Sequence, residues 1–201
     1  MPNAELARSL DLAAAALRQA RYAVALTGAG VSVESGIAPF RGPGGLWTKY
    51  GEPSPLDFQR FTADPRAWWE TRMTDERENR RPEWKDFERA QPNAAHHALA
   101  RLETAGVLRH LITQNIDGLH VRAGSRRITE IHGNRYRLRC LDCGERFPRA
   151  GFTLDDLPPR CPPCGGVLKF DTVMFGEPIP PDALRTARAE ALRADCMLVV
   201  G

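Results

Sequence analysis

Four of the five cysteines stand in two close pairs, "CLDC" (Cys140 and Cys143) and "CPPC" (Cys161 and Cys164), with seventeen residues between the pairs. No other feature restricts the chain as strongly, because two Cys-x2-Cys knuckles at this separation can wrap four thiolates around one tetrahedral zinc at about 2.3 Å each. The competing reading is two redox pairs. It fits less well, since a redox pair stands alone beside a βαβ unit. With four thiolates and no open position the metal is expected to be structural rather than catalytic. It would replace the core that a segment of about 30 residues cannot build alone. Residues 134–169 therefore read as an insert with its own small fold, inside a chain of 201 residues.

Around the insert, helical patterns alternate with short apolar runs. Residues 4–20 repeat Leu and Ala at helical spacing, and "YAVALTG" (Tyr22–Gly28) follows as a buried strand ending in glycine. "NAAHHALARLETAG" has a helix opening at Asn93 and a stop at Gly106, with "HLITQN" (His110–Asn115) as the next strand. "RITEIHG" (Arg127–Gly133) is a third strand, Asp182–Arg193 a helix and "DCMLVVG" (Asp195–Gly201) a fourth strand. Helices alternating with apolar strands indicate a parallel α/β sheet. The segment from Gly36 to about Phe61 is irregular, and at that length it reads as a functional loop.

The hydrophobic fraction of 42% and charged fraction of 26% are those of a globular protein, which excludes a disordered chain, a fibre or a membrane bundle. The formal charge is +3, but the basic residues are scattered and nearly all arginine, so we read the excess as a compositional bias and expect no specific nucleic-acid partner. "RENRRPEWK" (Arg77–Lys85) reads as a solvated helix end. Glu5 and Asp11 interrupt the N-terminal segment, which lacks the basic start and apolar core of a signal peptide. No apolar run approaches the roughly 20 residues of a membrane span. The expected compartment is the cytoplasm, and a reducing one also favours metal over disulfides.

Three polar clusters stand at three strand ends. "GAG" (Gly28–Gly30) follows the first, and Val31–Ser35 reads as a short helix start whose free N–H groups would meet an anion; the full six-residue glycine fingerprint is absent. "TQNIDGLH" sets Gln114, Asn115 and Asp117 past the second strand, where turn chemistry before Gly118 explains them as well as function does. In "EIHGN", His132 ends the third strand as either a base or a histidine bonded to a loop carbonyl. Together the clusters converge on one crevice.

In order and spacing, "GAGVSVESGIAPFRG", "TQNIDGLH", "EIHGN", the two cysteine pairs and "FDTVMFGE" resemble the sirtuins, the NAD-dependent protein lysine deacylases, from about Tyr22 to Gly201. The resemblance implies a Rossmann-like doubly wound sheet, 1–133 with 170–201, carrying a zinc-binding small domain, 134–169, and one structural zinc. It implies removal of acyl groups from protein lysines, with release of nicotinamide and O-acyl-ADP-ribose. In that chemistry the acyl oxygen attacks a ribose carbon of NAD as nicotinamide leaves, and a histidine deprotonates a ribose hydroxyl. By match of position His132 is that base, a role suited to an imidazole. Asp117 would hold the nicotinamide amide, Asn115 the ribose and a water, and Gln114 a ribose hydroxyl. Gly28, Ala29 and Gly30 would line the pyrophosphate with Ser35 nearby. Phe40 and Arg41 would sit on a mobile loop over the cofactor. Val173 and Gly176 in "VMFGE" would bond the backbone of an acyl-lysine peptide as an added strand.

The chain departs from the family pattern at Ala38, Pro39 and Phe170, which look tolerable. "FRGPGGLWTKY" resembles the prokaryotic branch that removes acidic acyl groups, where an Arg three residues after a Tyr reads the acyl carboxylate. Here "WWETR" supplies Arg72, with Trp69 in place of the Tyr, so both are expected to line the acyl site and a partial preference for succinyl- or malonyl-lysine is expected. The chain stops at Gly201, where family members continue, so the sheet is expected to be incomplete at that end. The alternative function is thus a weak or silent NAD-binding or interaction module. The sequence carries no signal for the oligomeric state.

Overall fold

The computed structural model describes residues 4–201, so the first three residues assigned above to the sheet domain lie outside the described residues. Among the described residues seven strands form two sheets: β1 (Ala23–Thr27), β2 (Leu108–Thr113), β3 (Ile128–Glu130), β4 (Arg137–Cys140), β5 (Arg146–Pro148), β6 (Leu168–Phe170) and β7 (Cys196–Val200). The larger sheet has the order β3-β2-β1-β7, and every pairing in it is parallel. In β1, Ala23, Val24 and Ala25 are wholly buried. Such a strand is covered on both faces, which explains its continuous apolar run in place of an alternating one.

Eight α-helices surround the sheets: α1 (Ala4–Gln19), α2 (Leu46–Tyr50), α3 (Asp57–Ala63), α4 (Pro65–Arg77), α5 (Trp84–Arg89), α6 (Ala94–Thr104), α7 (Leu119–Arg122) and α8 (Pro181–Arg193). On one face of the sheet Leu99 of α6 packs with Ala25, Leu108 and Leu111; on the other, Ala187 of α8 packs with Val24 and Ile112. That is the doubly wound arrangement. Helix α6 starts where Asn93 caps it: its side chain accepts from the amides of Ala95 at 2.9 Å and His96 at 3.3 Å, and the His96 ring accepts from the Asn93 amide. No helix among the described residues is long and apolar enough to cross a membrane.

Two local expectations are refined. The short helix expected at Val31–Ser35 is a 3-10 helix that begins two residues earlier, Ala29–Ser35, and is closed by Gly36 at φ 88°. Its tighter winding lets Asn93 reach across to Val31 O at 2.7 Å and Ser35 Oγ at 3.0 Å. The segment from Gly36 to Phe61 is not wholly irregular either, since α2 and the start of α3 lie within it.

The small sheet, β5-β4-β6, is antiparallel and carries the cysteine knuckles. Its apolar side is completed from outside the insert. Phe61 of α3 and Trp69 of α4 share one core with Leu138, Cys140, Cys161 and Leu168, and the Trp69 indole N–H donates to Leu168 O at 3.0 Å. Trp69 is therefore a wholly buried core residue, which corrects its expected place against an acyl group. Below this core lies a knot of charge. Asp171, fully buried, meets the guanidinium groups of Arg137, Arg139 and Arg146 at 3.1 to 3.3 Å, and buried Lys169 meets Glu177 at 3.0 Å. Three of the arginines read above as compositional bias thus neutralise one buried carboxylate.

Candidate functional site

The site lies at the C-terminal ends of β1, β2 and β3, where open parallel sheets bind ligands. Gly28 follows β1 in extended conformation, and Asn115 behind β2 reaches back to it, its Nδ2 donating to Gly28 O at 2.9 Å and to Ser32 Oγ at 3.2 Å. Ser32 in turn donates to Asp117 Oδ2 at 2.7 Å, while Asp117 Oδ1 accepts from the Leu119 amide at 2.8 Å. Asn115 and Asp117 are both buried. Each carboxylate oxygen of Asp117 keeps a second lone pair, and Asn115 keeps its side-chain carbonyl for a ligand.

His132 stands two residues past β3 with its Nδ1 3.1 Å from Gln114 O. A carbonyl only accepts, so the neutral ring carries its proton on Nδ1 and leaves Nε2 as a free base. The backbone beyond is fixed by a close approach. Gly133 sits at φ 75°, and a Cβ there would lie 1.7 Å from Asp171 O, so only glycine lets the chain leaving β6 cross at this point. That crossing chain delivers Val173, whose amide donates to His132 O at 2.9 Å. The Val173 N–H is thus engaged by the protein, and its carbonyl is the group left for a substrate strand. Gly176, at φ 80°, rests on Pro55 O.

The bareness of Gly30 has a structural cause as well as any ligand-binding one, since a Cβ there would strike the Gly201 carbonyl at 2.1 Å. Gly28 has more room, with nothing nearer than 3.8 Å to a Cβ built on it. The first amides of the 3-10 turn, at Ala29 and Gly30, have no intrahelical acceptor. Bare backbone, free amides, the exposed Gln114 side chain and the open Asn115 carbonyl together fit a dinucleotide. Ser35 lies at the far end of the turn, bonded to Asn93. Ser32 is the serine that touches the site.

Phe40 and Arg41 lie on the covering segment. Phe40 stacks near Trp47 with ring centroids 5.4 Å apart, Arg41 lies over the same ring, and Trp47 meets Phe175 edge-on at 5.6 Å. The segment is therefore pinned onto the chain that carries Val173 and Gly176. Beside it opens a cavity of about 910 Å³ lined by Phe40, Trp47, Ile116, Phe175 and, deeper, Arg72 and Trp84. His132, Asn115 and Asp117 do not line it. Arg72 stacks on Trp84 at 3.3 Å and pairs with Glu76 at 3.1 Å; burial lowers its pKa to about 10.

In the insert the four Sγ atoms lie within 4.8 Å of one another, with Cys140–Cys164 at 3.5 Å and Cys143–Cys161 at 3.6 Å. Four sulfurs tetrahedrally placed about 2.3 Å from one centre are about 3.8 Å apart, so the cluster fits zinc.

Sequence reasoning passed over Thr27, Ser32, His96, Thr113 and His120, all buried beside the site. Each of the two threonines is the last residue of its strand, and only the register Thr27↔Thr113 brings them together.

The Sir2 family profile matches residues 28–201. The NAD-dependent protein deacylase of Aeropyrum pernix is 47% identical over 188 residues, which span 92% of this chain and 72% of that protein. A structure solved for the mechanism and regulation of Sir2 enzymes superposes with a TM-score of 0.74 at 45% identity, over 96% of this chain and 75% of the other. A Sir2 structure with a p53 peptide and NAD+ gives 0.71 at 35% identity, covering 96% and 74%.

Proposed function

The chain belongs to the Sir2 family and is an NAD-dependent protein deacylase; on that premise we propose that His132 is its general base, acting through Nε2. The observation that carries the assignment is the contact of His132 Nδ1 with Gln114 O, which fixes the tautomer and aims the bare nitrogen outward from the strand ends. NAD supplies the ribose carbon that takes up the acyl oxygen as nicotinamide departs. Asn115, held by Gly28 O and Ser32, orients ribose and water with its carbonyl. Asp117 holds the nicotinamide amide on its remaining lone pairs, and Gln114 bonds a ribose hydroxyl. Gly28, Ala29 and Gly30 present the pyrophosphate with backbone N–H groups. Phe40 and Arg41 cover the bound cofactor and keep water from the reacting atoms.

The substrate is an acyl-lysine peptide or protein, held along Val173 and Gly176, and the acyl group passes to ADP-ribose, so the reaction is formally a transfer. Arg72 gives a partial preference for acidic acyl groups. We assign 1–133 with 170–201 to the cofactor-binding domain and 134–169 to a zinc-binding domain that also takes α3 and α4 into its core. The zinc ties the insert together and takes no part in the chemistry. A cytoplasmic protein without a nucleic-acid or membrane partner completes the reading. A silent NAD-binding module is the less favoured alternative.

The test is turnover of an acyl-lysine peptide with NAD. His132→Ala should lose about 10²–10⁴-fold in rate while keeping its fold, the range for removal of a general base. Undiminished turnover would remove His132 from the mechanism.

A further inference from the structure

Behind the residues assigned to catalysis lies a row of buried polar groups that no step of the reaction uses: Thr113, Thr27, His120 and His96. The Asn115 amide donates to Thr113 Oγ1 at 3.0 Å, Thr113 Oγ1 and Thr27 Oγ1 are 2.8 Å apart, and Thr27 Oγ1 lies 2.9 Å from His120 Nε2. At the other end, the Asn93 amide donates to His96 Nδ1 at 3.3 Å, so the proton of neutral His96 sits on Nε2. His96 Nε2 and His120 Nδ1 have no hydrogen-bond partner, although the ring centroids are 4.7 Å apart, tilted by 53°. Both rings are held neutral by burial, which pushes His120 down to about 3.

One placement of the protons is better than the other. If Thr113 donated to Thr27, Thr27 would donate to His120 Nε2, and the His120 proton would sit on Nδ1. Two buried N–H groups, on His96 Nε2 and His120 Nδ1, would then lack an acceptor, an arrangement buried polar groups avoid. In the opposite direction only the His96 N–H is left without one. His120 Nε2–H gives to Thr27, and Thr27 gives to Thr113, which also receives the Asn115 amide. The bonded chain thus runs from His120 to the end of β2.

We infer that His120 is a positioning residue, held as its neutral Nε2–H tautomer on Thr27, which orients the two threonine hydroxyls that hold the Asn115 backbone. Its effect on turnover rests on the role given to Asn115 above; its tautomer does not. The tautomer is read on the zinc-loaded full chain labelled with 15N-histidine, where His96 and His120 should each show a protonated Nε2 and a bare Nδ1. A protonated Nδ1 or a charged ring at His120 near neutral pH overturns the inference, whatever the activity.

Kinetics test the positioning. His120→Leu and Thr27→Val should each lower kcat with acyl peptide and NAD by about 10²-fold, the cost of a misplaced reacting group, with the KM for peptide unchanged. His120→Gln, which keeps one donor and one acceptor, should recover most of the loss. If Gln is no better than Leu, or if the loss lies wholly in KM, the positioning role fails while the deacylase reading stands. A wild-type chain without turnover would count against that reading and leave the tautomer measurement to decide this one.

Discussion

At the ends of the parallel strands the buried polar groups around Asp117 are hydroxyls, amides and neutral rings; in the insert and the chain leaving it they are Asp171 among three guanidinium groups, Lys169 on Glu177, and the thiols of Cys140 and Cys161, which the exposed Cys143 and Cys164 complete to a cluster of four. The strand ends already have their places from the sheet, whose core holds Ala25, Leu108 and Leu111 from both faces. What remains is aim, and directional hydrogen bonds supply it. The insert has three strands of three or four residues and cannot hold itself by apolar burial. Charge and metal bind strongly but point loosely, which suits a part whose task is to stay folded. Order came first in one region and had to be imported in the other.

That contrast fails or sharpens most under metal removal. Chelation of the zinc, or Cys143→Ser, should unfold the insert outright, because structural zinc contributes about 10–16 kcal/mol of binding energy to folding. Trp69, bonded to Leu168 O, reports the event through its fluorescence, and turnover should fall to background as the chain carrying Val173 loses its anchor. Metal-free protein with native tryptophan emission and full activity would break the comparison.

Acid should act next, on the other region. His96 and His120 have folded pKa values below the ordinary 6.5, as does His110, through burial. The unfolded chain therefore binds more protons once the pH drops below about 6.5, and stability is lost progressively toward His120's value near 3. The upper part of this window lies above ordinary carboxylate titration. Tm measured at intervals from pH 7 to pH 5 should decline, and His120→Gln should flatten the curve. A level profile in the parent chain would deny the neutral network its part in stability.

The smallest effect is expected where the two regions meet, in the cavity wall. Arg72 is already paired with Glu76 and stacked on Trp84, so Arg72→Ala should lower the succinyl-to-acetyl ratio of kcat/KM by only about threefold, the scale of a screened ion pair. An unchanged ratio makes Arg72 part of the wall and nothing more.

What could be read in advance follows the same division. Four cysteines in two knuckles announce their chemistry by spacing, and the apolar runs of β1 and β2 announce burial by length, as Asn93 announces a cap. The family resemblance supplied roles for His132, Asn115 and Asp117. The hydroxyl network stayed hidden, because Thr27 and Thr113 lie 86 positions apart and acquire meaning only in register. Trp69 was misplaced for a related reason, its partner Leu168 being 99 positions away. The arginines of β4 and β5 looked scattered because the carboxylate they surround follows β6.

Gly133 has a consequence for how such a molecule could be rebuilt. Because the chain returning from the small sheet passes where a methyl group would have stood, the histidine proposed as the base and the exit of the insert share one contact surface that tolerates no padding. A foreign metal-binding module could be spliced between Asn134 and Asp171 only if its last residue brought a carbonyl to that same spot. The grafting constraint thus lies in the outgoing joint and hardly at all in the ribbon between the joints, whose sequence is free to drift as long as the thiolates still meet.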